Sequence, residues 1–280
     1  MALGIGAAIV VWLFGVWPPP VWWRDHWPRQ TAMMRQHADT LRPAYRHAAL
    51  SEIAPVVQRM VIIGEDSRFR THHGLDFDEI ADALGLTRGA GFGATVRAVW
   101  RHRDRLRGAS TITQQLAKNF YLSSSRNPLR KLKEAVTALR FEVVLPKDRI
   151  MELYLNVVEL GPGVWGVPAA SRTYFGIAPG ALAPEQAAAL AATLPHPLTS
   201  NPGFRPDRML RRRDLILARF QGVPVFIPPD EGVDTLLVPP IAPPEISPAL
   251  DSLIRADGGV APARPAPPPE DTTGRQVTHP

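Results

Sequence analysis

A mainly α-helical fold is the class that this 280-residue chain predicts. Three observations carry the expectation. Apolar residues recur every three or four positions in several separate stretches, as at Ile53, Val56, Val57, Met60 and Val61. Prolines stand where helices would open and glycines where they would close. No convincing pair of alternating strands lies between those stretches. Hydrophobic residues at 45% and charged residues at 21% describe a globular chain, with length for one good core, an anchor and a tail. The absence of cysteine excludes a disulfide framework and thiolate chemistry. A net charge of +6 and a pI near 10.1 favour an anionic partner: nucleic acid, lipid headgroups or a phosphorylated substrate. No nucleic-acid-binding signature accompanies that charge, so no nucleic-acid partner is expected.

The first element is apolar. "MALGIGAAIVVWLFGVWPPPVWWRDHW" carries no charge as far as Trp23, and its continuous part, Ala2 to Trp17, falls a little short of the roughly 20 residues of a membrane span. Trp17, Trp22, Trp23 and Trp27 suit an interfacial aromatic belt. A cleaved signal peptide is the alternative, but no basic region precedes the segment and no A-x-A site follows it. Residues 1–27 are therefore expected to be a retained membrane anchor. Arg24 and Arg29 follow the segment, so charge alone does not give the orientation of an exported domain.

The helices follow in order through a domain expected at 28–222. The stretch from Ile53 to Val61 leads into Glu65. Asp76 and Glu79 form a capping-box-like start to "FDEIADALGL". "RKLKEAVTALRFEVVL" sets Leu132, Val136, Leu139 and Val143 on one apolar stripe and leaves Lys131 and Glu134 off it. "KDRIMELYLNVVEL" reads as a helix ended by "GPG". Pro184 opens "PEQAAALAATL", and Pro206 opens "DRMLRRRDLILARFQ", closed by Gly222. From 223 to 280 the chain is proline-dense and aperiodic, a composition that forbids regular pairing and predicts a disordered tail.

Three polar groups interrupt this pattern. In "VIIGEDSRFRTHHGLD", Glu65 follows an apolar run and Gly64, so partial desolvation would raise its basicity toward that of a general base. A solvated helix end is the plainer reading of the same residues. His72 and His73 are adjacent and match no zinc spacing; a hydrogen-bonding structural role suits them. In "GASTITQQLAKN", Ser110 is a natural N-cap, and Gln114, Gln115 and Lys118 fall within one turn of each other. Two buried glutamines need partners: a polar substrate, or an amide network in the core. In "SSSRNPLRKLKEAV", Arg126, Arg130, Lys131 and Lys133 gather before Glu134. Cations at a helix start oppose its dipole unless an anion offsets them, although each lysine alone could be a solvated charge. Together the last two groups resemble a diphosphate cradle beside two carboxylates, Glu65 and Glu134.

"EDSRFRTHHGLD" resembles E-D-x-x-F-x-x-H-x-G-x-D, the first motif of the peptidoglycan glycosyltransferases, which occur fused in class A penicillin-binding proteins and alone as monofunctional transglycosylases. "GASTITQQLAKN" is similar to the second motif, with Ala109 where a second glycine is frequent; "RKLKEAVTALRFE" resembles the third, "RIMELYLNVVELGPGVWGV" the fourth and "AASRTYFG" the fifth. The five run in order from Glu65 to Gly176. The resemblance implies a lysozyme-like glycosyltransferase domain that polymerises lipid II on the outer face of the bacterial inner membrane. By position it makes Glu65 the base that deprotonates the acceptor 4-hydroxyl. Lys118 and Arg126 become the cations at the leaving diphosphate, and Gln115 a substrate contact beside them. Glu134 becomes the carboxylate that orients those cations or a divalent ion, Mg or Mn. Ser110, Thr111, Gln114 and Lys131 complete the expected substrate-binding set. The stretch "TRGAGFGATVRAVWRHRDRLRG", with Phe92, Val96, Val99 and Trp100 among arginines, would be a mobile jaw against lipid or simply a flexible loop. No S-x-x-K or K-T-G marks a transpeptidase half.

The implied partners are lipid II, the growing glycan chain, the membrane, and cell-wall synthesis and division proteins. Two other readings stay open. A peptidoglycan-cleaving enzyme of lysozyme-like fold also uses a glutamate, but has no need of a diphosphate cradle. A non-catalytic scaffold that binds lipid II has no need of either carboxylate.

Overall fold

The apolar repeats of the sequence become helices that share one core. A computed structural model of the chain describes residues 11, 14–37, 44–83, 110–122 and 128–228. The expected jaw, Arg126 and residues 229–280 lie outside these described residues, as do 1–10, 12 and 13 of the expected anchor.

A short helix α1 (Ala32–Gln36) is capped by Thr31, whose Oγ1 accepts the Met34 amide at 3.2 Å. Helix α2 (Pro55–Glu65) opens on a proline and buries Val57, Met60 and Val61, the face the periodicity predicts. Helix α3 (Phe77–Ala83) starts at Asp76, whose Oδ1 accepts the Glu79 amide at 3.0 Å. Helix α4 (Ile112–Tyr121) buries Ile112, Leu116, Ala117 and Phe120 between α5 (Pro128–Val144) and α6 (Lys147–Val157). The described side chains of α6 from Ile150 to Val157 are buried except Glu152, so this helix is the centre of the domain. A four-residue helix α7 (Val167–Ala170) runs into a π-turn over Ser171–Phe175. The alanine-rich α8 (Pro184–Thr193) packs on α2 and on α9 (Asp207–Phe220). The mainly helical class is as expected.

The segment after α6 differs from the expectation. Its helix ends at Val157, and residues up to Gly161 form a strand rather than a last helical turn. A small sheet results, ordered β1 (Ala44–Tyr45), β3 (Val164–Trp165), β2 (Glu159–Gly161), parallel between β1 and β3 and antiparallel between β3 and β2. "GPG" is thus a hairpin turn, with Gly163 at φ 71°. Strands this short cannot show a period of two, which is why the sequence hides them. Asn156 ties the sheet side to the core: its side chain accepts from the Ala48 amide at 2.8 Å and donates to the Ala48 carbonyl at 2.9 Å. Gly166, at φ 78°, lies so close to Asn156 that a Cβ would sit 2.3 Å from its carbonyl oxygen.

Helix α5 also departs from its pattern. Its inner face is Glu134, Thr137, Ala138 and Phe141, whereas Leu132, Leu139 and Val143 of the apolar stripe point outward, Val143 at 84% exposure. Phe141, two smaller residues and a paired carboxylate fill the inner face, which leaves Leu132, Leu139 and Val143 outside the core. Beside that outer face lies the N-terminal segment, where Phe14, Pro19, Pro20 and Val21 line a groove of about 460 Å³ with Val136, Leu139 and Val143. The four tryptophans expected in an interfacial belt divide. Trp17 is 86% exposed, but Trp23 is buried, stacked on Phe120 at 4.7 Å and donating to the Tyr121 hydroxyl. Trp27 lies 4.4 Å under the Arg149 guanidinium. From Pro20 onward the N-terminal segment is therefore packed on the domain. No helix among the described residues is long and apolar enough to cross a membrane.

Candidate active site

Helix α2 delivers Glu65 at its C-terminal end; two other helices supply groups that touch it, and a third backs one of those contacts. From α4, the Gln115 amide donates to Glu65 Oε2 at 3.0 Å. From α6, the buried Tyr154 hydroxyl donates to Gln115 Oε1 at 2.8 Å. That bond fixes the orientation of the amide: the carbonyl faces the phenol, so the NH₂ faces the carboxylate. Burial first, then the negative charges of Glu65 and Asp66, push the Tyr154 phenol well above its ordinary range, so it stays a donor. From α9, Arg212 reaches Glu65 Oε1 at 3.3 Å. The Glu65 side chain is left 9% exposed.

The neighbouring acid has a different task. Asp66 accepts from His72 Nε2 at 2.9 Å and from the Ile112 amide, the first of α4, at 2.9 Å. His72 Nδ1 in turn accepts the Gly74 amide at 3.1 Å, so Nε2 carries the ring proton and points it at Asp66. This is the structural histidine expected from the sequence. Gly74, at φ 90°, also offers its carbonyl to Thr111 Oγ1 at 2.7 Å. The first polar group is thereby sewn to the start of the second. Asp66, His72 and Asp76 lie close enough to suggest a metal site, but the donors do not fit one. Both imidazole nitrogens are engaged, and Asp76 is held by Arg68 at 2.7 Å; burial works to raise the Asp76 pKa, but the Arg68 contact, the Glu79 amide and the charges of Arg68 and His72 together bring it below the usual carboxylate range.

At the head of α4 the sequence expectation is corrected by one residue. Thr111, not Ser110, is the N-cap, accepting the Gln114 amide at 3.1 Å while Gln114 Oε1 accepts the Thr111 amide at 3.1 Å. This reciprocal pair is a capping box. Gln114 and Thr111 are thus spent on the helix end, and the polar partner sought for Gln114 is its own N-cap. Ser110 instead accepts from Lys131 Nζ at 2.7 Å.

The third polar group closes around Glu134, which is buried. Lys131 binds its Oε1, and Arg130 donates to its Oε2 at 2.7 Å. The anion that offsets the cations at the start of α5 is this carboxylate. With a cation on each oxygen, Glu134 does not offer the free donor set a divalent ion needs, so the arrangement does not fit Mg or Mn there. Lys118, one turn beyond Gln115 on α4, lies partly buried in the field of Glu134. Desolvation pulls its ammonium below the ordinary lysine range; Glu134 opposes that, while Lys131 and Arg130 reinforce it. Among the described residues nothing hydrogen-bonds to this ammonium. Arg126, the other expected diphosphate cation, lies outside the described residues.

Two contributors were not singled out in the sequence: Tyr154 and Arg212. Arg212 had a legible signal. It lies between Met209 and Ile216, at spacings of three and four, and both of those are buried. A cation on the buried stripe of a helix needs an anion in front of it.

The site can therefore hold one carboxylate at an acceptor group and, over an anion, one partly desolvated cation that is unpaired among the described residues. The sequence profile of the Transglycosylase family matches residues 34–221. A biosynthetic peptidoglycan transglycosylase of Nitrosospira multiformis is 37% identical over 222 residues, covering 76% of this chain and 90% of that protein. One from Bordetella pertussis is 40% identical over 194 residues, 67% of this chain and 76% of that protein. One from Azoarcus is 37% identical over 220 residues, covering 76% and 90%. With its five motifs in order and these relatives matched over most of their length, the chain belongs to the Transglycosylase family.

Proposed function

We propose that the chain is a monofunctional peptidoglycan glycosyltransferase that polymerises lipid II into linear β-1,4 glycan strands. Glu65 takes the proton of the acceptor sugar's 4-hydroxyl. The freed oxygen attacks the anomeric carbon of the lipid-linked growing chain from the face opposite the diphosphate. The C–O bond to the polyprenyl diphosphate breaks with inversion, and the diphosphate leaves with the bonding pair. Lys118 and Arg126 stabilise the leaving charge, a contribution that is often the largest in such reactions. Lys131 and Arg130, held by Glu134, extend the positive surface around Lys118, and Gln115 keeps Glu65 aimed.

The observation that carries this reading is the pairing of a low-exposure carboxylate with a cation that, among the described residues, no side chain neutralises by direct contact. A glycan-cleaving enzyme needs the carboxylate but not the cation. A scaffold needs neither. Incubation with lipid II and, separately, with preformed glycan tests the reading: lengthening of the first supports it, and shortening of the second without lengthening of the first overturns it.

The site of action we propose is the outer face of the inner membrane, reached through the apolar N-terminus. The exposed side chains Phe14 and Val21 line one groove with Leu139 and Val143 of α5, and Val11, Trp17, Trp22 and Leu132 are exposed as well. Arg24, Lys133 and Arg140 flank them, each tied to a backbone carbonyl of Val144, Gly15 or Phe14. Apolar and aromatic groups rimmed by cations suit an anionic bilayer interface. The enzyme's partners on that surface are lipid II and the growing chain, with cell-wall synthesis and division proteins as further candidates.

A further inference from the structure

The position of Glu65 raises a physical difficulty. It ends α2, where unpaired carbonyls make the helix negative, and the next residue is Asp66. Low exposure, the helix end and a neighbouring acid all favour the protonated form, which is no base. Something must hold the carboxylate ionised and in place. Among the described residues, Arg212 is a cation within reach.

Its guanidinium is fixed at three points. Nη2 donates to the Gly64 carbonyl at 2.7 Å and reaches Glu65 Oε1 at 3.3 Å, and Nη1 donates to the Pro228 carbonyl at 2.8 Å. The last contact comes from the segment after α9, of which Ile227 also packs against the core. Gly64 makes the approach close: a Cβ there would lie 3.0 Å from Ile216 Cδ1, one turn beyond Arg212 on α9. The placement has a cost, because Arg212 Nε is buried with no hydrogen-bond partner among the described residues. A buried donor left unsatisfied to bring a cation to a carboxylate is unusual for a group that only fills space.

We infer that Arg212 is a positioning residue for the proposed base: it holds the Glu65 carboxylate ionised and aimed, and the segment around Pro228 holds Arg212. This rests on the reading of Glu65 given above and adds to it a residue from outside the five motifs. The other groups that face Glu65 are Tyr154 from α6 and, in the adjoining loop, Asp66 with its partner His72; α4 contributes the uncharged Gln115. Lys118, further along α4, stands in the field of Glu134, and on α8 the acid Glu185 is exposed at the helix start. Arg212 is thus the cation that the described surroundings bring to this carboxylate.

A plainer role is that of a cap, in which Arg212 only satisfies the last carbonyls of α2. The two are separated by the titration of Glu65 itself, followed by carbon NMR of glutamate carboxyls in the intact protein, with Glu65→Gln identifying the resonance. In Arg212→Gln the midpoint should rise by about one unit or more, the size of effect an adjacent opposite charge exerts. Arg212→Lys should leave the midpoint near that of the unsubstituted protein, since the charge remains. In lipid II polymerisation the acid limb of the rate profile should move up with the midpoint in Arg212→Gln. Arg212→Lys should lower kcat without moving that limb, because one ammonium cannot serve three acceptors in the plane of the fork. A melting temperature that falls in Arg212→Gln while the Glu65 midpoint stays unmoved would overturn the inference and leave the cap. Because the NMR midpoint is read without turnover, it is informative even if the unsubstituted protein fails to polymerise lipid II, a result that would count against the function and not against the contact.

Discussion

Replacing Lys118 with methionine should separate binding from stability. The ammonium is partly desolvated, has no hydrogen-bond partner among the described residues, and is drawn below the ordinary lysine range by burial. The sign of its contribution follows. A lysine whose folded pKa is depressed binds fewer protons folded than unfolded between the two values, so stability rises with pH across that window. Below the window the charged group only costs stability. Lys118→Met, which fills similar volume without charge, should therefore leave the melting temperature unchanged or raise it at neutral pH. This advantage should fade as the pH climbs toward the ordinary lysine value, about 10.4. Binding should move the other way. A hydrogen bond to a charged group contributes about 1.5–3 kcal/mol, which predicts about a 10- to 150-fold loss of affinity for a phosphoglycolipid that mimics the donor diphosphate. Calorimetric titration with such an inhibitor, beside thermal melts across pH, gives both numbers. Unchanged inhibitor affinity, or a melt that drops by several degrees, would refute the assignment of Lys118 to the diphosphate.

Two further outcomes follow from groups away from the reacting atoms. Asn156→Ala removes a buried amide that serves both polar groups of Ala48, and should destabilise by about 2–5 kcal/mol in urea titrations, since both Ala48 groups are left unpaired; a change under half a unit would contradict that. His37 is raised above its ordinary value chiefly by its hydrogen bond to Glu159, so the stability it contributes is fully present below about pH 6.5 and is lost as the pH passes its folded value. The stability difference between the protein and His37→Gln should accordingly shrink from pH 6 to pH 8, and a difference that grows instead would exclude the pair as its source.

The parts legible in the sequence are those where one physical requirement acts alone. Helix α2 announces itself because Val57, Met60 and Val61 must all be buried on one side. His72 is legible as structural because adjacent histidines on regular backbone cannot share a metal. What escaped notice involves two requirements at once. On α5 the apolar stripe points outward, since the inner face is set by Glu134 and its cations rather than by hydrophobic burial. Gln114 and Gln115 look alike in sequence, yet one closes a capping box and the other bridges Glu65 and Tyr154. The strands of two and three residues are too short for any period, and they exist because Asn156 and Gly166 bring separate segments together. Trp23 reads as an interfacial residue because its neighbours are apolar and uncharged; its partner Phe120 lies 97 positions away and leaves no local trace.

The central claim is that Glu65 is the base of a lipid II polymerisation, and its direct measurement is the initial rate of glycan formation by the intact protein and by Glu65→Gln in the same lipid mixture. The amide keeps the size of the side chain and its place beside Gln115 and Arg212, so folding and lipid II binding should persist. Loss of a general base costs about 10²–10⁴-fold in rate, and the polymer should fall by that factor. Polymer formed by Glu65→Gln at close to the unsubstituted rate would contradict the account.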